Sequence, residues 1–136
     1  MRRFLLASLS TLIATFSCSD AAAPSFEPCP GDTVTMEVVA GPNPFFTWSP
    51  ACGMAFLEVY PEAGGSALWT VYADSGTGAD NPIASGVRYG STPARARTVA
   101  GPEALRSGTG YTVRINRLLC DGICYSQQAG HVTFQR

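Results

Sequence analysis

The stretch LRSGTGYTVRIN, residues Leu105–Asn116, decides the fold class. Within it Tyr111, Val113 and Ile115 alternate with polar residues, the period of two that is typical of a strand with one buried face. Gly108 and a second glycine two positions later come just before the tyrosine. Because glycine adopts positive φ at low cost, the stretch predicts a strand that is entered through a tight corner.

Six further stretches have the composition of short strands, and Gly, Pro, Asn and Ser separate them. They are 33–38, Phe45–Pro50, 54–61, Ala67–Ala73, Ile83–Gly90 and His131–Arg136. The stretch Ser91–Ala104 has few apolar residues, and we expect it to be an irregular link. About seven short strands without helical periodicity predict an all-β protein, an antiparallel immunoglobulin-like sandwich.

Length and charge narrow the class of protein further. The chain has 136 residues, enough for one domain. Its 9 basic residues are all arginines scattered along the chain, and the formal net charge is -1. Nucleic-acid binding requires a clustered basic surface, so we expect no nucleic-acid partner.

The N-terminus has the pattern of an export signal. Arg2 and Arg3 precede the mostly apolar stretch Phe4–Phe16, which is too short to span a bilayer comfortably. The sequence TFSCSD that follows resembles a bacterial lipobox, which implies that Cys18 carries lipid and becomes the new N-terminus. It departs from the usual pattern at Thr15 and Phe16. The alternative is an ordinary signal peptide that is cut near SDAAAP.

These features divide the chain into three parts. We expect a signal peptide over residues 1–17, a lipidated N-terminus and tether over 18–29, and the sandwich over 30–136. The tether assignment rests on small residues and prolines without apolar periodicity. The protein is therefore expected to be exported to a bacterial cell envelope, as an outer-membrane or surface lipoprotein held in the membrane through its lipid anchor.

Two motifs in the same order resemble those of fibronectin type III domains. FTWSP is similar to the Trp-x-Pro signature of that family, which implies that Trp48 lies in the core between the sheets. LRSGTGYTVRI is similar to its Leu-x-Pro-Gly-Thr-x-Tyr-x-Val-x-Val run, with Ser107 in place of the proline. The residues that match the run are Leu105, Gly108, Thr109, Tyr111, Val113 and Ile115. The resemblance implies a tyrosine corner, in which the Tyr111 hydroxyl bonds to backbone just upstream.

Besides Cys18, the chain has four cysteines: Cys29, Cys52, Cys120 and Cys124. Their spacing is poor for zinc, and an exported protein meets an oxidising compartment, so disulfides are favoured over a metal site. In the fold that the chain resembles, all four cysteines lie at one end of the sandwich, which implies the pairs Cys29–Cys52 and Cys120–Cys124. The second bridge would stiffen the tip between the last two strands, where we expect a binding surface.

The sequence contains no recognisable catalytic constellation. His131 is the single histidine and alternates with apolar residues, as in a surface strand. Asp74 and Asp80 lack the ligand spacing of a calcium loop. We therefore expect a non-enzymatic protein without a cofactor or metal. A small hydrolase, the rival interpretation, would need a polar cleft.

Aromatic residues on neighbouring predicted strands offer a different site. Any of Trp69, Tyr72, Phe56 and Tyr60 that point outward would form a platform for sugars or for a protein. Alternatively, Trp69 is a core residue. The expected function is an envelope-anchored binding or scaffolding module for adhesion or protein–protein interaction, with an unknown protein or polysaccharide ligand. The alternative is a carbohydrate-binding accessory domain that uses exposed aromatics.

Overall fold

The computed structural model describes Gly31 and residues 33–74 and 81–136, which form two antiparallel β-sheets. The strands, in chain order, are β1 (Thr35–Val39), β2 (Phe45–Ser49), β3 (Phe56–Pro61), β4 (Trp69–Ala73), β5 (Val87–Arg88), β6 (Ala96–Ala100), β7 (Gly110–Asp121) and β8 (Ile123–Gln135). One sheet has the order β1-β2-β5 and the other β6-β4-β3-β7-β8. The predicted all-β sandwich is confirmed.

Residues 1–30 lie outside the described residues. The predicted signal peptide and tether, the lipidation of Cys18 and the participation of Cys29 in a disulfide therefore stay predictions. No helix in the described part of the chain is long and apolar enough to cross a membrane.

The core lies between the two sheets and is built from the alternating side chains of the strands. In β7, the predicted inward residues Tyr111, Val113 and Ile115 are buried, and Arg114 between them is exposed. The ring of Phe46 from β2 packs against Trp69 of β4, with ring centroids 6.4 Å apart. Burial of such large apolar side chains contributes about 1.5–3 kcal/mol each and holds the sheets together.

Trp48 joins β2 to the loop that follows it. Its side chain is buried, and the indole Nε1 donates a hydrogen bond to the Cys52 carbonyl at 2.8 Å. On the backbone side, the Ser85 hydroxyl accepts from the Trp48 N–H at 2.8 Å and donates to the Trp48 carbonyl at 3.0 Å. The serine side chain thus takes the place of a strand partner where the short strand β5 has not yet begun.

The corner before β7 has the geometry that its glycines suggest. Gly108 adopts a φ of 73°, a conformation that favours glycine. The Tyr111 hydroxyl accepts a hydrogen bond from the Arg106 N–H at 2.7 Å and lies 3.4 Å from the Arg106 carbonyl. Leu105 is buried beside it. The hydroxyl thus fixes the chain five residues upstream, as a tyrosine corner requires.

Two parts of the sequence prediction were wrong in detail. The stretch Ser91–Ala104 was expected to be irregular, but it contains β6, which pairs with β4 at the edge of the five-stranded sheet. The last strand was expected only near Val132 and Phe134, but β8 begins at Ile123 and pairs with β7 along nearly its whole length. The sandwich therefore has eight described strands and one long hairpin.

Candidate functional site

The β7–β8 hairpin extends beyond the rest of its sheet. The last pair that joins β3 to β7 is Phe56 with Asn116, whereas β7 and β8 stay paired as far as Asp121 and Ile123. Beyond the end of β3, the side chain of the loop residue Asn81 bonds to the edge of β7 that β3 leaves open. It accepts from the Leu118 N–H at 2.7 Å and donates to the Leu118 carbonyl at 3.1 Å.

The base of the hairpin is held by a buried arginine. Arg117 lies in β7, and its Nε and Nη2 donate to the Gln127 Oε1 of β8 at 2.9 and 2.6 Å. Its Nη1 donates to the carbonyl of Gly31. Because both strands and the chain before β1 share this guanidinium, the hairpin base is a fixed support for the tip.

The tip itself is closed by a disulfide. Cys120 and Cys124 are directly opposite each other, with their Cα atoms 4.0 Å apart, and their sulfurs are bonded. Gly122 forms the turn between them with a φ of 72°. This pairing confirms the one that the resemblance implied. Cys52 is also disulfide-bonded, but its predicted partner Cys29 lies outside the described residues.

One face of the tip is apolar and open to solvent. Leu119 is opposite Tyr125, and Asp121 is opposite Ile123, so these four side chains share one face of the hairpin, which we call the tip face. Ile123 is 80% exposed and Tyr125 55% exposed. The cysteines lie on the opposite face. Sequence reasoning located the tip but missed these residues, because an isolated Ile or Tyr in a turn gives no periodic signal.

Trp69 and Tyr72, the two residues proposed for an aromatic platform, lie on opposite faces of β4. Trp69 is completely buried, so it is a core residue and cannot belong to an exposed platform. Its register partner Val59 is also buried, which shows that this side of β4 faces the other sheet. Trp69 Nε1 has no hydrogen-bond partner among the described residues. Tyr72 is half-buried and points to the outer face.

Phe56, Tyr60 and Tyr72 share this outer face of the five-stranded sheet. Phe56 is opposite Tyr72, and their rings meet edge to face with centroids 4.8 Å apart. The guanidinium of Arg114 lies over the ring of Tyr60 at 5.0 Å. Burial raises the pKa of the Tyr60 hydroxyl, and the neighbouring Glu58 carboxylate raises it further. Each of the three rings is thus already in contact with another side chain.

Among the described residues, the side chains considered for catalysis or for metal binding are not brought together into a site. His131 is exposed on β8, where it is opposite Arg114 and lies 3.3 Å from the Gln128 amide through its Nδ1. Asp74 is exposed after β4, and Asp80 lies outside the described residues. In residues 33–74 and 81–136, no three His, Cys, Asp or Glu side chains are placed to hold a metal ion.

Comparison with protein-family models, with curated proteins and with solved structures gives no match for this chain.

Proposed function

We propose that this chain is a non-enzymatic binding module of the bacterial cell envelope, and that it binds another protein through the tip face of its β7–β8 hairpin. The observation that carries the proposal is the exposure of Ile123 and Tyr125 on a disulfide-closed hairpin. A rigid tip loses little conformational entropy when it binds, so that apolar contacts there contribute efficiently to affinity.

The composition of the tip face supports a protein partner rather than a lipid surface. The Asp121 carboxylate is directly opposite Ile123, and none of the four residues that define the tip face is an arginine. A carboxylate is repelled by anionic lipid, whereas a protein pocket can offer it a cation. Tyrosine and large apolar side chains are also common anchors of protein interfaces. We therefore propose an apolar pocket with a basic rim as the complementary surface.

The proposed anchor supports the same location. Lipidation of Cys18 would leave 12 residues between the lipid-bearing cysteine and Gly31, a span of about 45 Å at most. Gly31 lies at the hairpin base through its bond to Arg117. The tip face would then work close to the membrane that holds the anchor, and its partner would be a membrane protein or a protein bound at that surface. The motifs similar to fibronectin type III domains fit such an extracellular module but do not identify its ligand.

The alternative of a carbohydrate-binding domain draws less support from the aromatic residues. Sugars stack on open ring faces, but Phe56 and Tyr72 pack edge to face, and Arg114 covers Tyr60. Since Trp69 is buried, the largest ring proposed for a platform is not available. A protein ligand is therefore the better proposal.

Photo-crosslinking from the tip tests the proposal. The full chain is expressed in its envelope with p-benzoylphenylalanine at position 125, and the matched control carries the same residue at position 39. Val39 is 65% exposed at the last position of β1, where it is opposite Phe45 of the three-stranded sheet. We expect one defined protein adduct from position 125 that disappears with Ile123→Asp, and none from position 39. Adducts only with lipid, or equal protein adducts from both positions, would contradict the proposal.

Cell fractionation tests the anchor separately. Cys18→Ser is expected to release the protein from the membrane fraction, since the lipid is the proposed attachment. The measurement is made in a chain that also carries Ile123→Asp, so that the proposed partner cannot retain it. If Cys18→Ser then stays in the membrane fraction as fully as the parent, lipidation is ruled out and the tip proposal is untouched.

A further inference from the structure

The outer face of the five-stranded sheet carries a second set of binding groups, apart from the tip. We call it the ring face and define it by five residues: Phe56, Tyr60, Tyr72, Arg97 and Arg114. The register shows that they share one side, because Tyr72 is opposite both Phe56 and Arg97, while Arg114 is opposite Glu58 between Phe56 and Tyr60.

The ring face has an excess of positive charge. Arg97 and Arg114 are both exposed, and Glu58 is the carboxylate that lies among the rings. The Glu58 carboxylate accepts a hydrogen bond from the Tyr60 hydroxyl. The outer face of the other sheet has no such excess, since Glu37 and Arg88, one charge of each sign, lie there beside Thr35 and Thr47. Charge complementarity therefore points to an acidic ligand for the ring face.

The two arginines are held at opposite sides of the rings. Arg97 lies on β6 and Arg114 on β7, three strand positions apart in the order β6-β4-β3-β7. With about 4.8 Å between strands and an offset of two residues along them, their Cα atoms are roughly 16 Å apart. The Arg114 guanidinium is also oriented by the Tyr60 ring beneath it, which prepares its N–H groups for a carboxylate.

An extended peptide matches this spacing. Alternate residues of an extended chain point to the same side, and four residues span about 14 Å. Two acidic side chains at positions i and i+4 can thus reach the two arginines, while the side chain at i+2 packs against the exposed parts of Phe56 and Tyr72, which are both half-buried. We infer that the ring face binds an extended polypeptide segment with this pattern, acidic at i and i+4 and apolar or aromatic at i+2.

Titration with a synthetic peptide tests the inference. The probe is acetyl-Glu-Thr-Tyr-Thr-Glu-amide, and the control probe has lysine in place of both glutamates. Each is added to the ¹⁵N-labelled chain with Cys18→Ser and without the signal peptide, and amide shifts are recorded. We expect the acidic probe to shift residues of β3, β4, β6 and β7 at their outer face, and the shifts to weaken as salt rises.

Matched variants distinguish this site from general attraction to arginine. Arg97→Gln together with Arg114→Gln should weaken binding of the acidic probe at least about tenfold. Arg88→Gln is the control, because Arg88 lies 5.4 Å over the Phe45 ring on the opposite sheet, and that variant should bind as the parent does. Ile123→Asp should also leave binding intact, so this result does not depend on the tip.

Three outcomes would overturn the inference. They are equal binding of the lysine probe, unchanged binding by the double arginine variant, and shifts centred away from the ring face. Binding of an oligogalacturonate at the ring face without binding of the acidic peptide would assign the surface to anionic sugars instead.

Discussion

Tyr111→Phe removes one hydroxyl from the corner before β7 and leaves the ring in place. The ring of Phe134 lies 5.6 Å from that of Tyr111, and this packing survives the change. What is lost is the hydrogen bond at 2.7 Å from the Arg106 N–H, a backbone donor for which the hydroxyl is the partner. An unpaired donor at a partly buried site costs about 1–2 kcal/mol. For a domain of about 100 residues, that corresponds to a fall of about 5–10 °C in Tm.

Urea unfolding with the disulfides intact measures this loss. Tyr125→Phe is the matched control, since Tyr125 is 55% exposed and removal of its hydroxyl should change the free energy of unfolding by less than about 0.5 kcal/mol. The variant Gly108→Ala tests the stability of the same corner independently. No atom lies within 4 Å of the added Cβ, so its cost of about 1 kcal/mol comes from the positive φ alone. Equal stability of Tyr111→Phe and the parent would refute the assigned role of the hydroxyl.

Three further predictions concern the hairpin and a second buried tyrosine. Asn81→Ala leaves the N–H and carbonyl of Leu118 unpaired, so the free energy of unfolding should fall by about 2–4 kcal/mol; a loss under about 0.5 kcal/mol would show that water replaces the side chain. Replacing both Cys120 and Cys124 by serine opens a five-residue loop, which should cost about 2 kcal/mol and speed amide exchange at the tip; unchanged exchange would contradict the stiffening. Burial, assisted by the Glu103 carboxylate, raises the pKa of Tyr89 to about 12 from 10.0, so the folded state favours the neutral hydroxyl. The neutral Tyr89 hydroxyl therefore adds to the free energy of unfolding fully below pH 10, and this contribution is lost as pH rises to about 12. In Tyr89→Phe the free energy of unfolding should fall less steeply over this range than in the parent, and parallel pH profiles of the two proteins would contradict the prediction.

Strand β7 shows how much of the fold could be predicted from local sequence. Tyr111, Val113 and Ile115 alternate with polar residues, and this alternation alone is enough to predict a half-buried strand. The tip disulfide followed from the resemblance to a known fold. In β4, by contrast, Trp69 and Tyr72 make both faces look apolar. Only the pairing with β3, where Val59 is buried, decides which ring enters the core.

Strand β6 and the hairpin extension show why the rest could not be predicted. The half-buried positions of β6 include Ala96, Thr98 and Ala100, residues too small to give an apolar period. In the hairpin, the two side chains that point inward are Arg117 and Gln127. In the sequence, polar residues at these positions indicate an exposed side of the strands. Their burial depends on a hydrogen bond between the two side chains, and such a partnership is not visible until the strands are in register.

The hairpin also determines how the two proposed surfaces are related. Along β7, Cys120 comes six positions after Arg114, an even offset, so the two lie on one side of the strand, whereas Leu119 lies on the other. Ile123 and Tyr125 of β8 share the side of Leu119. The tip face and the ring face are therefore on opposite sides of the same ribbon, and their ligands do not compete for space. A saturating concentration of the acidic peptide should leave the crosslink from position 125 unchanged, as expected for a scaffold that holds two partners. Loss of the crosslink in the presence of the peptide would mean that the two surfaces form a single site.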